Sequence, residues 1–192
     1  MINKIGVLTS GGDAPGMNAA IRGVTRYAIQ KGLTLEGIIR GYEGLLSHET
    51  RPLGRRDVGA IIHRGGTMLR TARCLEFKKK ETQKKAVAYL RELEIDALVV
   101  IGGDGSMRGA QALSRLGFPT ITIPGTIDND MMGTQYTLGF DTTVNTVLES
   151  VNKIRDTAFS HDRVAVIEVM GREAGFIALN AGTASGAEAV LV

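Results

Sequence analysis

Three short runs of apolar or β-branched residues in this chain stop abruptly in loops of glycine and aspartate. That punctuation restricts the fold more than any other feature. Residues 97–101 are Ala-Leu-Val-Val-Ile, a continuous apolar run of the kind buried on both faces of a parallel sheet. Gly102-Gly103-Asp104-Gly105-Ser106 follows at once, then a helical pattern with Ala110, Leu113 and Leu116 on one face and Gly117 at the expected stop. Residues 4–10 run in the same way into Gly11-Gly12-Asp13-Ala14-Pro15-Gly16 and a helix to about Gln30, ended by Gly32. Residues 120–123, Thr-Ile-Thr-Ile, run into Pro124-Gly125-Thr126-Ile127-Asp128-Asn129-Asp130.

Expected strands near 3–9, 34–40, 97–101, 119–123 and 164–170 alternate with helices near 17–31, 81–94, 106–116, 142–159 and 172–182. The alternation predicts an α/β fold, a doubly wound, mostly parallel sheet in a three-layer α/β/α arrangement. Val144, Val147, Leu148, Val151, Ile154 and Ala158 form one stripe on the 142–159 helix and predict a core face. The apolar segment 187–192 reads as a strand running off the end, as expected for a fragment or a chain cut at a domain boundary.

The loops carry the chemistry. Open α/β sheets bind ligands at the carboxyl edge of their strands. A glycine loop leading into a helix offers backbone N–H groups and the positive end of a helix dipole to an anion. Asp104 would repel a phosphate unless a divalent cation lay between them, and Mg²⁺ characteristically takes one or two carboxylates plus substrate phosphates. As a plain turn, Asp104 would shape the loop and Ser106 would cap the helix. Asp128 and Asp130 would point the same way on an extended backbone, offering a base and a neighbour, although Asp and Asn also populate ordinary turns. The first glycine loop has no Gly-Lys-Ser/Thr ending, so it is not a Walker A loop, and it lacks the glycine spacing of the dinucleotide fingerprint. Arg73, Arg163 and Arg172 are candidate cations for charge on a moving phosphoryl group.

Composition excludes several classes. With 192 residues, 43% of them hydrophobic, a sizeable core is affordable. The net charge of +3 is mild, and the basic stretch at Lys78, Lys79, Lys80, Lys84 and Lys85 lacks interleaved aromatics, arguing against nucleic acid. No apolar run approaches membrane-spanning length, and the N-terminus enters a strand with no secretory segment, so a cytoplasmic protein is expected. The single cysteine, Cys74, permits no internal disulfide and fits a reducing compartment. His48, His63 and His161 lack zinc-ligand spacing.

Taken together, the sequence resembles the bacterial ATP-dependent 6-phosphofructokinases. The resemblance rests on residues 6–13, 64–67, 102–106, 124–130, 153–157 and 169–172, in the correct order over the whole chain. It implies residues 1–138 as an ATP-binding α/β domain without its C-terminal return, and 139–192 as the start of a second, similar domain binding sugar phosphate. It implies Asp128 as the base that takes the proton of the sugar 1-hydroxyl during attack on the γ-phosphate of ATP. Asp104 would hold Mg²⁺, with Gly12, Arg73, Cys74, Gly103, Gly105 and Ser106 lining the nucleotide. Thr126 and Arg172 would stabilise the transition state, with Asp130 supporting the loop. Thr126, Ile127, Asp128, Arg163, Met170, Gly171 and Arg172 would meet fructose 6-phosphate, Arg163 across a subunit interface. Arg22, Arg26, Arg55, Arg155, Gly186, Ala187 and Glu188 would form a regulatory site for an effector nucleotide or phosphoenolpyruvate. Ala60 stands where some relatives have an Asp in that pocket, and Arg56 where an aromatic can stack, so the effector is left open. Glycine at 105 and 125, where pyrophosphate-using relatives have Asp and Lys, implies ATP as donor. The family further implies a homotetramer at full length and a second half absent here, so this piece is expected to be weak or inactive alone. A lipid or NAD kinase, which shares a Gly-Gly-Asp-Gly loop, fits residues 124–130 and 169–172 poorly. A non-catalytic nucleotide-sensing module is disfavoured by the intact Asp128.

Overall fold

The structure is a computed structural model that describes residues 2–192. The chain divides into two compact units, Met1–Gly125 and Thr126–Val192.

The first unit is an α/β fold built from β1 (Lys4–Ser10), α1 (Met17–Gln30), β2 (Thr34–Ile38), α2 (Gly41–Leu46), β3 (Thr50–Pro52), a 3-10 turn (Leu75–Lys78), α3 (Lys80–Glu92), β4 (Ala97–Gly102), α4 (Asp104–Arg115) and β5 (Thr120–Thr126). Its strands lie in the order β3-β2-β1-β4-β5. β1 pairs in parallel with β2 on one side and β4 on the other, and β4 pairs in parallel with β5. β3 pairs with β2 in the antiparallel sense. The winding therefore reverses between β1 and β4. Loops leaving adjacent strands there diverge to opposite faces and open a crevice at the carboxyl edge.

Strand alternation sends successive side chains to opposite faces. Leu8, Leu98 and Val100 join Tyr42, Leu45, Phe77, Leu90, Ala110 and Leu113, from α2, the 3-10 turn, α3 and α4, in one buried cluster. Val7, Val99 and Ile101 alternate away from it. A Cβ at Gly125 would meet Met17 Cε at 3.3 Å and Ile101 Cγ2 at 3.4 Å, which puts the start of α1 on that second face. Leu8, Leu90, Leu98 and Leu113 are fully buried, each worth about 1.5–3 kcal/mol of hydrophobic transfer.

The expected strands at 3–9, 34–40, 97–101 and 119–123 and the three expected helices of this unit are present with shifted ends. Two short elements, α2 and β3, have no counterpart in the pattern of the sequence.

The second unit contains β6 (Leu138–Gly139), α5 (Phe140–Ser160) and α6 (Phe176–Ser185). Four expectations fail here. Residues 164–170 form no strand, and Val164 and Val166 stand 94% and 95% exposed. Residues 187–192 form none either. A strand needs a neighbour for its N–H and C=O groups, and neither segment pairs within the unit. The last helix begins at Phe176 rather than 172, because Gly171, Arg172 and Gly175 all have positive φ (139°, 52° and 65°), which no right-handed helix accepts. On α5 only Phe140 is buried; Val144, Val147, Leu148, Val151 and Ala158 are half-buried and Ile154 is exposed, so the stripe is not the core face expected of it.

Candidate active site

In the first unit, the loops after β1 and β4 flank the reversal of winding. They touch: Ser106 Oγ donates to the Ser10 carbonyl at 2.9 Å, and both residues are buried. A Cβ on Gly102 would fall 2.4 Å from that same carbonyl, so the approach requires glycine. Tyr42 Oη donates to the Ser106 carbonyl at 2.7 Å, and its ring stacks on Phe77 with centroids 4.0 Å apart. Burial pushes the Tyr42 phenol well above its ordinary range and keeps it a donor.

α4 starts at Asp104 with no side-chain cap. Ser106, which would cap the helix if the loop were a plain turn, spends its hydroxyl on Ser10 instead. The first-turn amides of a helix have no intrahelical carbonyl to bond, so those of Asp104 and Gly105 are available to an anion. A Cβ placed on Gly12 or on Gly105 would have nothing within 4 Å, which leaves open space before both loops. Asp104 is 59% exposed, and its Oδ2 lies 3.0 Å from Arg108 Nε, a charge that sequence reasoning did not single out. The i,i+4 spacing on one helix face was the available signal.

Arg73 is exposed, while Cys74 is half-buried against the core. Their segment is tied to the first glycine loop by Thr71 Oγ1, which donates to the Gly11 carbonyl at 2.7 Å. Arg22 Nη1 donates to the Val58 carbonyl at 2.6 Å, joining α1 to the loop that carries exposed Arg55; Arg26 is exposed one turn further on.

In the second unit, Asp128 is only 7% exposed, and Arg172 Nε lies 3.4 Å from its Oδ2. Thr126 Oγ1 accepts from the Asp128 amide at 3.2 Å. The loop is stapled by two residues that sequence reasoning missed. Asn129, at φ 52°, accepts the Thr137 amide on Oδ1 at 2.8 Å and donates from Nδ2 to the Gln135 carbonyl at 3.1 Å. Thr137 Oγ1 donates to the Thr126 carbonyl at 2.6 Å. Asn tolerates the left-handed region and bonds local backbone, which was the only signal for it. That conformation breaks the extended backbone on which Asp128 and Asp130 would share a direction: Asp128 is buried and Asp130 exposed. Ile127 is half-buried and Gly171 buried. Arg163 and Met170 are exposed. Arg155 donates to the Ser185 carbonyl, which places it beside Gly186, Ala187 and Glu188.

The arrangement supplies two chemistries. The first unit offers backbone donors, an exposed carboxylate and nearby guanidinium groups, a set suited to a phosphate chain. The second offers a buried carboxylate held beside a cation, a set suited to proton abstraction next to developing negative charge.

The family model described as phosphofructokinase matches residues 4–192. The ATP-dependent 6-phosphofructokinase of Clostridium botulinum (strain Eklund 17B / Type B) is 60% identical over 191 residues, covering 100% of this chain and 60% of that protein. The enzyme of the same name from Clostridium acetobutylicum is 61% identical over 191 residues with the same coverage. Among solved structures, phosphofructokinase from Saccharomyces cerevisiae superposes with a TM-score of 0.89 at 40% identity, over 97% of this chain and 28% of that one. A pyrophosphate-dependent phosphofructokinase from Marinobacter aquaeolei gives 0.81 at 25% identity, over 95% and 50%. The chain thus spans 60% of the length of the curated relatives it matches.

Proposed function

The chain belongs to the phosphofructokinase family, and from that premise we propose that it carries the nucleotide and base machinery of an ATP-dependent 6-phosphofructokinase. The reaction moves the γ-phosphoryl group of MgATP to the 1-hydroxyl of fructose 6-phosphate, giving fructose 1,6-bisphosphate and ADP in glycolysis. The observation that carries this reading is the buried Asp128 carboxylate beside Arg172.

In this mechanism Asp128 takes the proton of the 1-hydroxyl as that oxygen bonds to the γ-phosphorus and the bond to the ADP oxygen breaks. Arg172 and Thr126 meet the charge spreading over the transferred group. Asp130 and the Asn129–Thr137 staple hold the loop. Ile127, Met170 and Gly171 line the sugar phosphate, and Arg163 reaches a neighbouring subunit's substrate in a homotetramer of the full-length protein. The functional division follows as 1–138 for the nucleotide and 139–192 for the start of the sugar-phosphate domain.

The α4 amides, Gly12, Gly103, Gly105, Ser106, Arg73 and Cys74 hold the nucleotide. Asp104 fits a shared Mg²⁺. It is exposed, only its Oδ2 is drawn to Arg108, and the described residues include no cluster of three acidic, His or Cys ligands that would cage an ion alone. Such a cation takes most of its shell from phosphates and water. Bound there, Mg²⁺ offsets the charge of the triphosphate. The donor is ATP rather than pyrophosphate: the open space at Gly105 is what a nucleotide needs, and no neighbouring side chain demands glycine there.

Arg22, Arg26 and Arg55 in one unit, and Arg155 with residues 186–188 in the other, supply the regulatory contacts to an effector nucleotide or phosphoenolpyruvate. The protein works in the cytoplasm. Alone, the 192-residue chain is a weak or inactive enzyme.

The test is a titration of this chain with MgATP and with magnesium pyrophosphate, followed by a coupled assay of the full-length protein with fructose 6-phosphate. Binding of MgATP and turnover with ATP are expected. Preference for pyrophosphate, or turnover by the 192-residue chain equal to the full-length enzyme, defeats the corresponding part of the proposal.

A further inference from the structure

Residues 64–71 have no regular structure, yet side chains from β1 and α1 satisfy much of their backbone. Asn18, 3% exposed in the first turn of α1, uses its whole amide on this segment. Its Nδ2 donates to the carbonyls of Arg64 (3.0 Å) and Gly65 (3.1 Å), and its Oδ1 accepts from the Met68 amide (2.7 Å). Fully buried Thr9 continues the clamp. Its hydroxyl donates to the Arg70 carbonyl at 2.8 Å and so accepts from Thr67 Oγ1, 2.9 Å away. Thr67 Oγ1 in turn accepts from the Leu69 amide at 3.3 Å. The segment leaves this clamp at Thr71, bonded to the Gly11 carbonyl, two residues before Arg73.

We propose that Asn18 is a positioning residue: by clamping residues 64–68 it sets where Arg73 stands beside the Gly11-Gly12 loop, and thereby sets the affinity for a nucleoside triphosphate. This rests on the reading of Arg73 as a nucleotide ligand. The residue type follows from the geometry. Two carbonyls and one N–H must be met by one short planar group, and only a carboxamide offers two donors with an acceptor. Aspartate has the same shape, but no donor when ionised, and would face both carbonyls with like partial charge.

The experiment measures MgATP affinity of the 192-residue chain by calorimetry and amide exchange of residues 64–71, in Asn18→Ala, Asn18→Asp, Arg73→Ala and the Asn18→Ala/Arg73→Ala double variant. Each single change is expected to weaken MgATP by about tenfold or more, the scale of one charge-assisted contact. The Asn18 variants should also speed exchange. In the double variant the two effects should fail to multiply, adding less than about twofold to the worse single, because Arg73 has already lost its place. Effects that multiply in full mean a merely structural asparagine and overturn the proposal. So does faster exchange with unchanged affinity. If Arg73→Ala alone leaves MgATP binding intact, the nucleotide reading of Arg73 falls first, and the two failures are told apart by that variant. Should Asn18→Ala not fold, Thr67→Val frees the same segment from Thr9 and is held to the same outcomes.

Discussion

Arg172 Nε stands 3.4 Å from Asp128 Oδ2, joining a nearly buried carboxylate to a guanidinium whose side chain is 69% exposed. The asymmetry separates stability from catalysis. A pair with one partner in water is worth under about 1 kcal/mol to folding, whereas a cation beside developing charge is worth far more in the transition state. In the full-length enzyme Arg172→Ala should lower kcat by about a hundredfold or more while shifting the urea midpoint little. Steady-state rates and denaturation of the same preparation check both halves.

Replacing the proposed base should act differently. Asp128→Ser in the full-length enzyme should cost about 10²–10⁴-fold in kcat, the range of general base catalysis, with MgATP affinity within about twofold. An unchanged rate would remove Asp128 from its role.

The glycines of α4 give opposite forecasts. A Cβ at Gly109 would fall 2.6 Å from the Tyr42 ring, so Gly109→Ala should destabilise by about 1–3 kcal/mol through overpacking. Gly105 faces open space. Gly105→Asp should leave the melting temperature within a few degrees, yet weaken MgATP at least tenfold by setting a carboxylate where the phosphates go. Thermal melts and calorimetry on both variants decide it.

Tyr42 joins α4 to the 3-10 turn through one hydroxyl and one ring. Tyr42→Phe keeps the stack on Phe77 and leaves the Ser106 carbonyl its helical partner in α4, so only the loss of one hydrogen bond, about 0.5–1.5 kcal/mol, is expected in urea unfolding.

Acid should release the amino-terminal strand through Asp96. The amides of Asn3 and Lys4, at 2.7 and 3.0 Å, hold the Asp96 carboxyl below its ordinary range. Its folded pKa is lowered, so its stabilisation is present above the unfolded value of about 3.9 and is lost as pH falls through the folded one. Asp96→Asn should therefore show a shallower loss of stability than the parent between about pH 5 and pH 2. Urea midpoints across that range are the check.

Much of this was legible in the residues alone because it is local. An apolar run such as 97–101 must be buried, and glycines directly after it must form a loop at the strand's end, so the sheet, its parallel winding and the 102–106 loop follow from patterning. α2 was not legible. It is six residues with Gly41 and Gly44, and a Cβ on Gly44 would lie 1.5 Å from the Ile39 carbonyl, a requirement of close packing with no periodic trace.

Patterning also misled where a partner was needed. Residues 164–170 have every local preference of a strand and form none, since a ladder belongs to two segments and not to one. The residues themselves determined where strands end, where phosphate-suited loops begin and that Asp128 sits in such a loop. Tertiary structure alone decided that Asp128 is buried and Asp130 exposed, that Arg172 comes back from 44 positions away to meet it, and that Asn18 spends its amide on residues 64–68. Contacts at long separation depend on how the chain closes, and no spacing along a sequence encodes that closure.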